Sequence, residues 1–270
     1  MWWYPKAVTV HGHDIDRLLM AIFWLTLAVF IATQVVYVWF LVKYRYRKGV
    51  KAVYSHGNNR LEIIWTAIPA VIFVVLAILS NRLWLQLRTT TPKDALKIDI
   101  MAYQFGFHIR NPGVDQTLGN YNLELVSKEN YFGQKRDDSK GFDDYQSENQ
   151  FTIPVHTPVN VLLRSMDVIH AFYIPEFRVY QDMVPGHEID WMWFEAEQTG
   201  HYAIACNQLC GGGHYNMQAK VDVVSKEDYA KLVAEKSQAA LKNHEEKAKQ
   251  DNTAQQDASP TQAVSLVTAH

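Results

Sequence analysis

The chain has 270 residues, a hydrophobic fraction of 48% and a formal net charge of −2 at pH 7. This length accommodates one or two domains. The near-zero charge gives no reason to expect a nucleic-acid partner, because such proteins usually carry a strongly basic surface. These averages neither indicate nor exclude a membrane protein, so the distribution of apolar residues along the chain decides that question.

Two long apolar runs lie near the N-terminus. Residues 18–42 contain no charged side chain, and residues 63–85 contain only Arg82. A helix needs about 20 apolar residues to cross a bilayer. A buried helical hairpin in a soluble protein is the alternative, but soluble helices are rarely apolar on every face. The first run lacks a basic leader and is too long for a cleaved signal. We therefore predict transmembrane helices at residues 17–43 and 61–87.

The orientation of these helices follows from the charges between them. Residues 44–60 form a basic loop that has no acidic residue. Basic loops remain on the cytoplasmic side of the membrane. The outer segment 1–16, both termini and all residues from 88 onward are then expected on the periplasmic side of a bacterial inner membrane.

Short β-type runs dominate residues 88–225, which are expected to form one periplasmic domain. The runs are rich in Val, Ile, Tyr, Phe and Trp, and turn residues separate them. They are residues 96–103, 150–154, 158–164, 188–197, 201–205 and 218–224. This pattern predicts an antiparallel sandwich or barrel. Polar residues 129–148 are interpreted as a long surface loop.

The C-terminal residues 226–270 are expected to form a polar helical or disordered tail. Residues 229–249 could form a polar helix, and residues 250–270 have the composition of a disordered segment. The sequence contains no C-x-x-C-H motif, so no covalently attached c-type heme is expected on this chain.

Chemistry-bearing residues concentrate around the two cysteines, Cys206 and Cys210. A disulfide between them is one interpretation in an oxidising compartment. However, His214 and Met217 follow closely, and thiolate, imidazole and thioether groups together suit copper. A mononuclear blue-copper site uses one thiolate, whereas two thiolates can bridge two copper ions. A second imidazole is then needed, and His170 is a candidate.

With these residues in place, the sequence resembles subunit II of cytochrome c oxidase. The spacing C-x-x-x-C-x-x-x-H-x-x-M at 206–217 follows the sequence D-V-I-H at 167–170. Residues 182–186 match the D-x-x-P-G turn of that family, and residues 61–69 resemble the start of its second transmembrane helix. The resemblance covers roughly residues 10–225.

The resemblance implies a two-helix transmembrane hairpin followed by an all-β cupredoxin-like Greek-key sandwich that holds a binuclear copper centre, CuA. One histidine binds each copper ion, both cysteines bridge the pair, and a thioether and a carbonyl are weak ligands. The two histidines are His170 and His214, and the two cysteines are Cys206 and Cys210. The thioether is that of Met217, and the carbonyl is the backbone carbonyl of Gln208.

The same resemblance implies partners and further functional residues. Electrons come from cytochrome c or a c-type domain and pass to heme in subunit I, where oxygen is reduced and protons are moved; subunit III is a further expected partner.

Phe105 stands where the family has an electron-accepting Trp, although it could be an ordinary sandwich aromatic. Asp167 matches an acid near the docking patch. Glu62 matches the mouth of a proton pathway, although it could simply face lipid headgroups. Gln208 replaces the usual Glu, which puts magnesium binding in doubt.

Other functions remain possible at this point. A quinol-oxidase subunit lacks copper, and the complete ligand set argues against it. The CuA subunit of a nitric-oxide or nitrous-oxide reductase would share the copper motif, but the hairpin favours the oxidase. A membrane-tethered copper chaperone would need only one helix and no boundary acid such as Glu62.

The charge of the outer domain bears on its donor. Between Thr89 and Val224 there are 10 Lys and Arg residues against 18 Asp and Glu residues. An acidic face would attract a basic cytochrome c in a salt-sensitive way. Alternatively, these acids are scattered and only keep the domain soluble.

Overall fold

A computed structural model describes residues 4–89, 91–135 and 137–257 of the chain. It begins with two long helices, α1 (Val10–Lys43) and α2 (Asn59–Thr89). Helix α1 starts earlier than the predicted residue 17, because the Thr9 hydroxyl caps it by accepting a hydrogen bond from Gly12 N at 3.2 Å.

Both helices present apolar side chains around their surfaces. Trp24, Val35 and Phe73 are 59%, 63% and 70% exposed, and neither apolar window is buried in the described part of the chain. Such surfaces are unfavourable in water and suit the interior of a bilayer, where a helix satisfies all its own backbone groups. The two helices are those predicted from the apolar runs.

Ten strands and one further helix follow the hairpin within the described residues. In chain order they are β1 (Leu96–Tyr103), β2 (Gly106–Asn111), β3 (Tyr145–Glu148), β4 (Gln150–Pro154), β5 (Pro158–Ser165), β6 (His170–Ile174), β7 (Val179–Met183), β8 (Ile189–Glu195), β9 (Gly200–Ala205), β10 (Gln218–Val224) and α3 (Lys226–Asp257).

The strands form two five-stranded sheets. The first has the order β3-β2-β1-β5-β8 and the second the order β4-β10-β9-β6-β7. Most neighbours are antiparallel, but β1 pairs with β5 and β4 with β10 in parallel. The sheets bury one shared core, to which Ile98 and Val161 contribute from the first sheet and Phe172 and Val221 from the second. Alternation along each strand sends every second side chain inward. The cupredoxin-like sandwich expected from the sequence is confirmed.

The interpretation of residues 129–148 as a surface loop is wrong in part. Tyr145–Glu148 form β3, which pairs with β2, and Phe132 is completely buried. The segment lies over the outer face of the first sheet, where it covers a cluster of charged side chains that pair with one another.

This cluster consists of two arginines and two aspartates. Arg164 donates from Nε to Asp99 Oδ1 at 3.3 Å and from Nη2 to Asp99 Oδ2. Arg110 donates from Nε and Nη2 to Asp144 Oδ2 at 2.9 and 2.5 Å, and Arg164 also reaches the Phe132 carbonyl. Burial raises the pKa of Asp99 to about 6, although the charge of Arg164 opposes the increase. The cluster therefore joins the covering segment to the sheet.

Helix α3 packs its first turns on the sandwich, and further along it His244 stacks on Phe142 with ring centroids 3.8 Å apart. Tyr229, Val233 and Ser237 are buried. Residues 250–257 are helical, so the prediction of disorder from residue 250 is wrong for this stretch. Residues 258–270 lie outside the described residues.

Candidate metal centre

The ends of three strands in the second sheet carry the predicted ligands. His170 is the first residue of β6, Cys206 follows β9, and Met217 precedes β10. The backbone N–H of Cys206 donates to the Met217 carbonyl at 3.1 Å, which closes the intervening loop at its base. His214 begins a short 3-10 turn inside this loop. The loop is therefore held by the sheet at both of its ends.

The two thiols are free and close together. The Sγ atoms of Cys206 and Cys210 are 3.9 Å apart, far beyond the bond length of about 2.05 Å in a disulfide. His170 Nδ1 lies 3.9 Å from Cys206 Sγ, and His214 Nδ1 lies 3.6 Å from Cys210 Sγ. Met217 Sδ is 3.8 Å from Cys210 Sγ. Each thiol thus has its own imidazole, and the thioether lies beside one of them.

Gln208 contributes its backbone and its side chain to different contacts. Its carbonyl oxygen lies 3.2 Å from Cys206 Sγ. Its side-chain amide donates to Asp182 Oδ1 and to the Tyr180 hydroxyl, each at 3.1 Å. Tyr180 in turn donates to Asp182 Oδ1 at 2.6 Å. At the position where the family that this sequence resembles usually has Glu, Gln208 therefore places a neutral amide that donates to the Asp182 carboxylate.

Asp167 orients the buried histidine. His170 Nε2 lies 2.8 Å from Asp167 Oδ1, which leaves Nδ1 facing the thiols. The carboxylate also accepts the backbone N–H groups of Val168 and Gln104, both at 2.7 Å. Burial alone would raise the pKa of Asp167, but these hydrogen bonds outweigh burial and lower it. A partner of this kind fixes the ring and tautomer of a metal-binding histidine. In the sequence, the three-residue separation of Asp167 and His170 in the motif D-V-I-H was the signal from which this contact could have been predicted.

Phe105 lies on the outside of the cysteine loop. Its side chain is 41% exposed, and a Cβ built on Gly213 would come within 2.5 Å of Phe105 Cδ2. The neighbouring Gln104 donates from Nε2 to the Cys210 carbonyl at 2.5 Å. A side chain at Gly213 would therefore collide with the Phe105 ring, which lies against the cysteine loop. The contribution of Gln104 was not anticipated.

The electrostatics of the thiols favour a bound cation. Burial raises the pKa of the Cys210 thiol to about 11, and nearby Cys206 adds to the effect. Two adjacent thiols resist losing both protons unless a positive charge compensates. The ligand atoms of His170, Cys206 and Cys210 all lie within 4.8 Å of one another. Thiolates, imidazoles and a thioether are preferred copper ligands. The residues therefore fit a copper pair.

Glu62 lies far from this centre. It occupies the first turn of α2, whereas the opposite end of α2 leads into β1 and the sandwich. At 1.5 Å per residue, the helix separates Glu62 from the sandwich by roughly 40 Å. The structure thus brings the six predicted ligands, Phe105 and Asp167 together and leaves Glu62 apart.

Known proteins resemble this chain over both of its parts. Residues 3–83 match the family model for the transmembrane domain of cytochrome c oxidase subunit II, and residues 119–224 match the model for its periplasmic domain. The alternative cytochrome c oxidase subunit 2 of Bradyrhizobium diazoefficiens is 38% identical over 244 residues, covering 89% of this chain and 86% of that protein. Cytochrome c oxidase subunit 2 of Cereibacter sphaeroides is 29% identical, covering 84% and 75%.

Among solved structures, the periplasmic domain of cytochrome oxidase subunit II from Bradyrhizobium japonicum covers 56% of this chain and 99% of its own, with 22% identity and a TM-score of 0.43. The two family models and the relative from Bradyrhizobium diazoefficiens decide the assignment, since they span both the membrane hairpin and the sandwich. The chain belongs to the cytochrome c oxidase subunit II family, a membrane-bound component of heme–copper oxidases.

Proposed function

We propose that this chain accepts electrons from a cytochrome c type donor and delivers them to heme in subunit I, where oxygen is reduced to water and protons are translocated. The observation that carries the proposal is the pair of free thiols, 3.9 Å apart, between two imidazoles. Family membership favours the oxidase over the reductase and chaperone alternatives.

Six groups of this chain would hold the copper pair. They are the side chains of His170, Cys206, Cys210, His214 and Met217 and the carbonyl of Gln208. When bound, the pair supplies a one-electron carrier. The protein keeps the donor atoms in place through the Asp167 contact to His170 and the closed base of the loop. A site prepared in this way changes little between redox states, which favours fast transfer.

The donor would dock on the surface formed by Phe105 and the cysteine loop. Phe105, Leu209 and Tyr215 are 41%, 83% and 84% exposed, and the last two lie within the cysteine loop. The excess of acidic residues in the domain, 18 against 10 basic ones, would attract a basic donor. Subunit I and subunit III would cover the membrane helices and the remaining faces.

The membrane orientation completes the proposal. The basic segment 44–60 would lie in the cytoplasm, with both termini and the copper domain in the periplasm. Glu62 would then stand at the cytoplasmic end of α2, where protons are taken up. The Gln208 side chain would supply no magnesium ligand, because its amide donates to Asp182 instead of offering an anionic oxygen.

Metal content and spectroscopy of the purified oxidase test the proposal. We expect two copper ions bound by this chain and the multi-line electron paramagnetic resonance signal of a mixed-valence pair. Cys206→Ser should abolish that signal, whereas Met192→Leu, a change at a buried core methionine, should not. A single copper ion, or a Cys206–Cys210 disulfide in the active oxidase, would contradict the proposal.

A further inference from the structure

We propose that Arg178 is a positioning residue: it clamps the N-terminal segment Tyr4–Asp16 onto the β6–β7 hairpin and thereby fixes the metal centre relative to the membrane helices. The clamp itself follows from contacts within this chain. Its consequence for electron delivery rests on the proposed function.

Arg178 has a backbone conformation that disfavours arginine. It ends the 3-10 turn Pro175–Phe177 between β6 and β7 with a φ of 57°, in the left-handed region. Glycine adopts this region without steric cost, whereas a residue with a Cβ is strained there. Strain of this kind persists where the surroundings compensate for it, so the side chain of Arg178 is expected to make valuable contacts.

The side chain makes such contacts and is only 4% exposed. Its Nε and Nη2 donate to the two oxygens of Asp16 at 2.7 and 3.0 Å. Nη2 also donates to the Pro5 carbonyl at 2.6 Å, and Nη1 donates to the Pro175 carbonyl. The guanidinium lies 3.9 Å from the centre of the Tyr4 ring. The planar guanidinium group directs its N–H groups at several acceptors at once, which the single ammonium group of lysine could not do.

Backbone contacts extend the clamp along the N-terminal segment. Val8 N donates to the Glu176 carbonyl at 3.0 Å, and Glu197 N donates to the Val8 carbonyl at 2.8 Å. The Thr9 hydroxyl, which caps α1, donates to the Phe177 carbonyl at 3.0 Å. The first turns of α1 are thus fixed to the sandwich through both side chains and backbone.

The clamped hairpin carries the metal centre at its opposite end. Strands β6 and β7 pair from Ile174 with Val179, beside the clamp, to His170 with Met183. Asp182, which binds the Gln208 side chain, lies at the His170 end. Five strand residues span about 15 Å. A tilt of the hairpin at Arg178 therefore moves His170 and its surroundings relative to α1.

A second contact, independent of Arg178, attaches the sandwich to the membrane helix α2. Arg88, near the end of α2, lies 3.5 Å from the Trp191 ring and donates to Gln181 Oε1 at 3.0 Å. The bonds of Val8 and Thr9, and the contact of His13 Nε2 with Glu197 Oε2 at 2.9 Å, do not involve the Arg178 side chain. Without the Arg178 clamp, the N-terminal anchor should therefore loosen while Arg88 stays in place, and the domain should gain freedom to tilt.

Variants of the assembled oxidase test this inference. Arg178→Gly removes the side chain and suits the left-handed backbone, and Asp16→Asn removes the same ion pair from the membrane side. Arg17→Ala is the control, because it removes the exposed pair with Asp14 on the same turn of α1. Hydrogen exchange of the Val8 and Glu197 amides and the two phases of electron transfer, from the donor to this chain and from this chain to heme, are measured in each.

We expect both Arg178→Gly and Asp16→Asn to speed exchange of these amides about tenfold, as loss of a charge-assisted hydrogen bond allows. Both variants should keep the copper spectrum and the first electron-transfer phase and slow the second, while Arg17→Ala leaves all of these unchanged. Unaltered exchange in both variants would overturn the clamp. Faster exchange with an unaltered second phase would overturn the positioning role. Absence of copper from the wild type would instead refute the proposed function, and the exchange measurement would still decide whether Arg178 clamps.

Discussion

Replacing Asp99 by Asn should remove a pH-dependent contribution to the stability of the copper domain. Asp99 is completely buried between Arg164 and Arg110, and burial raises its pKa from 3.8 to about 6. The folded protein therefore binds the proton more tightly than the unfolded chain does. The stabilising contribution is fully present below pH 3.8 and is lost as the pH rises through about 6.

The magnitude follows from the two pKa values. Their difference corresponds to about 3 kcal/mol over the full range, of which about 1 kcal/mol falls between pH 5 and pH 7. Solvent screening does not reduce this free-energy difference, because the Asp99 carboxyl has no exposed surface. The free energy of unfolding of the wild type, relative to Asp99→Asn, should thus be about 1 kcal/mol greater at pH 5 than at pH 7.

Denaturant unfolding of the full chain in detergent, followed by tryptophan fluorescence, measures this difference. Asp190→Asn is the matched control, because Asp190 lies exposed on β8 of the same sheet. Its difference from the wild type should not follow the same pH dependence. If the wild type and Asp99→Asn differ equally at pH 5 and pH 7, Asp99 stays ionised throughout and its pairing with Arg164 outweighs the cost of burial.

Three further predictions concern the metal centre and proton uptake. Met217→Leu should keep both copper ions but change the reduction potential and the paramagnetic spectrum, since a weak axial ligand tunes such sites; potentiometry would show an unchanged value if Met217 only packs. Asp167→Asn should weaken copper binding about 10-fold to 100-fold, because the carboxylate orients His170; competition with a copper chelator measures this, and equal affinity would leave Asp167 only its predicted docking role. Glu62→Gln should slow oxygen consumption without slowing reduction of the copper centre by the donor, because the two lie at opposite ends of α2; unchanged turnover would make Glu62 a headgroup-facing acid.

The sequence was informative where chain-local patterns determine structure. Runs of β-branched and aromatic residues predicted six strands, and β1, β4 and β10 have the predicted bounds. Strand β2 was missed because its outer face carries Arg110, whose charge is compensated there by Asp144 on the covering segment and by Asp99 on β1. The burial of Phe132 likewise depends on a sheet that no local pattern reveals.

In the candidate centre, too, features set by local sequence were predictable, whereas contacts between distant segments were not. The spacing of residues 206–217 brought together Cys206, Cys210, His214 and Met217, because a short loop keeps them close. His170 was a candidate for the second imidazole, and the Gln208 carbonyl was implied only by the family resemblance. The hydrogen bond from Gln208 to Asp182 was not predictable, since it depends on β9 and the β6–β7 hairpin becoming neighbours. The role of Arg178 was hidden for a related reason, because a left-handed backbone at a non-glycine residue leaves no trace in composition.

The parallel pairing of β4 with β10 has a consequence for the order of events during biogenesis. Strand β10 follows the cysteine loop and completes its sheet against β4, a strand about seventy residues earlier in the chain. Contacts between such distant segments form late in folding. We therefore expect His170 and the loop to reach their mutual positions late, once β10 has paired with β4. If the centre binds copper as proposed, copper acquisition would follow folding of the domain, and a chain stalled before Val224 would present its two thiols before β10 holds the loop in place.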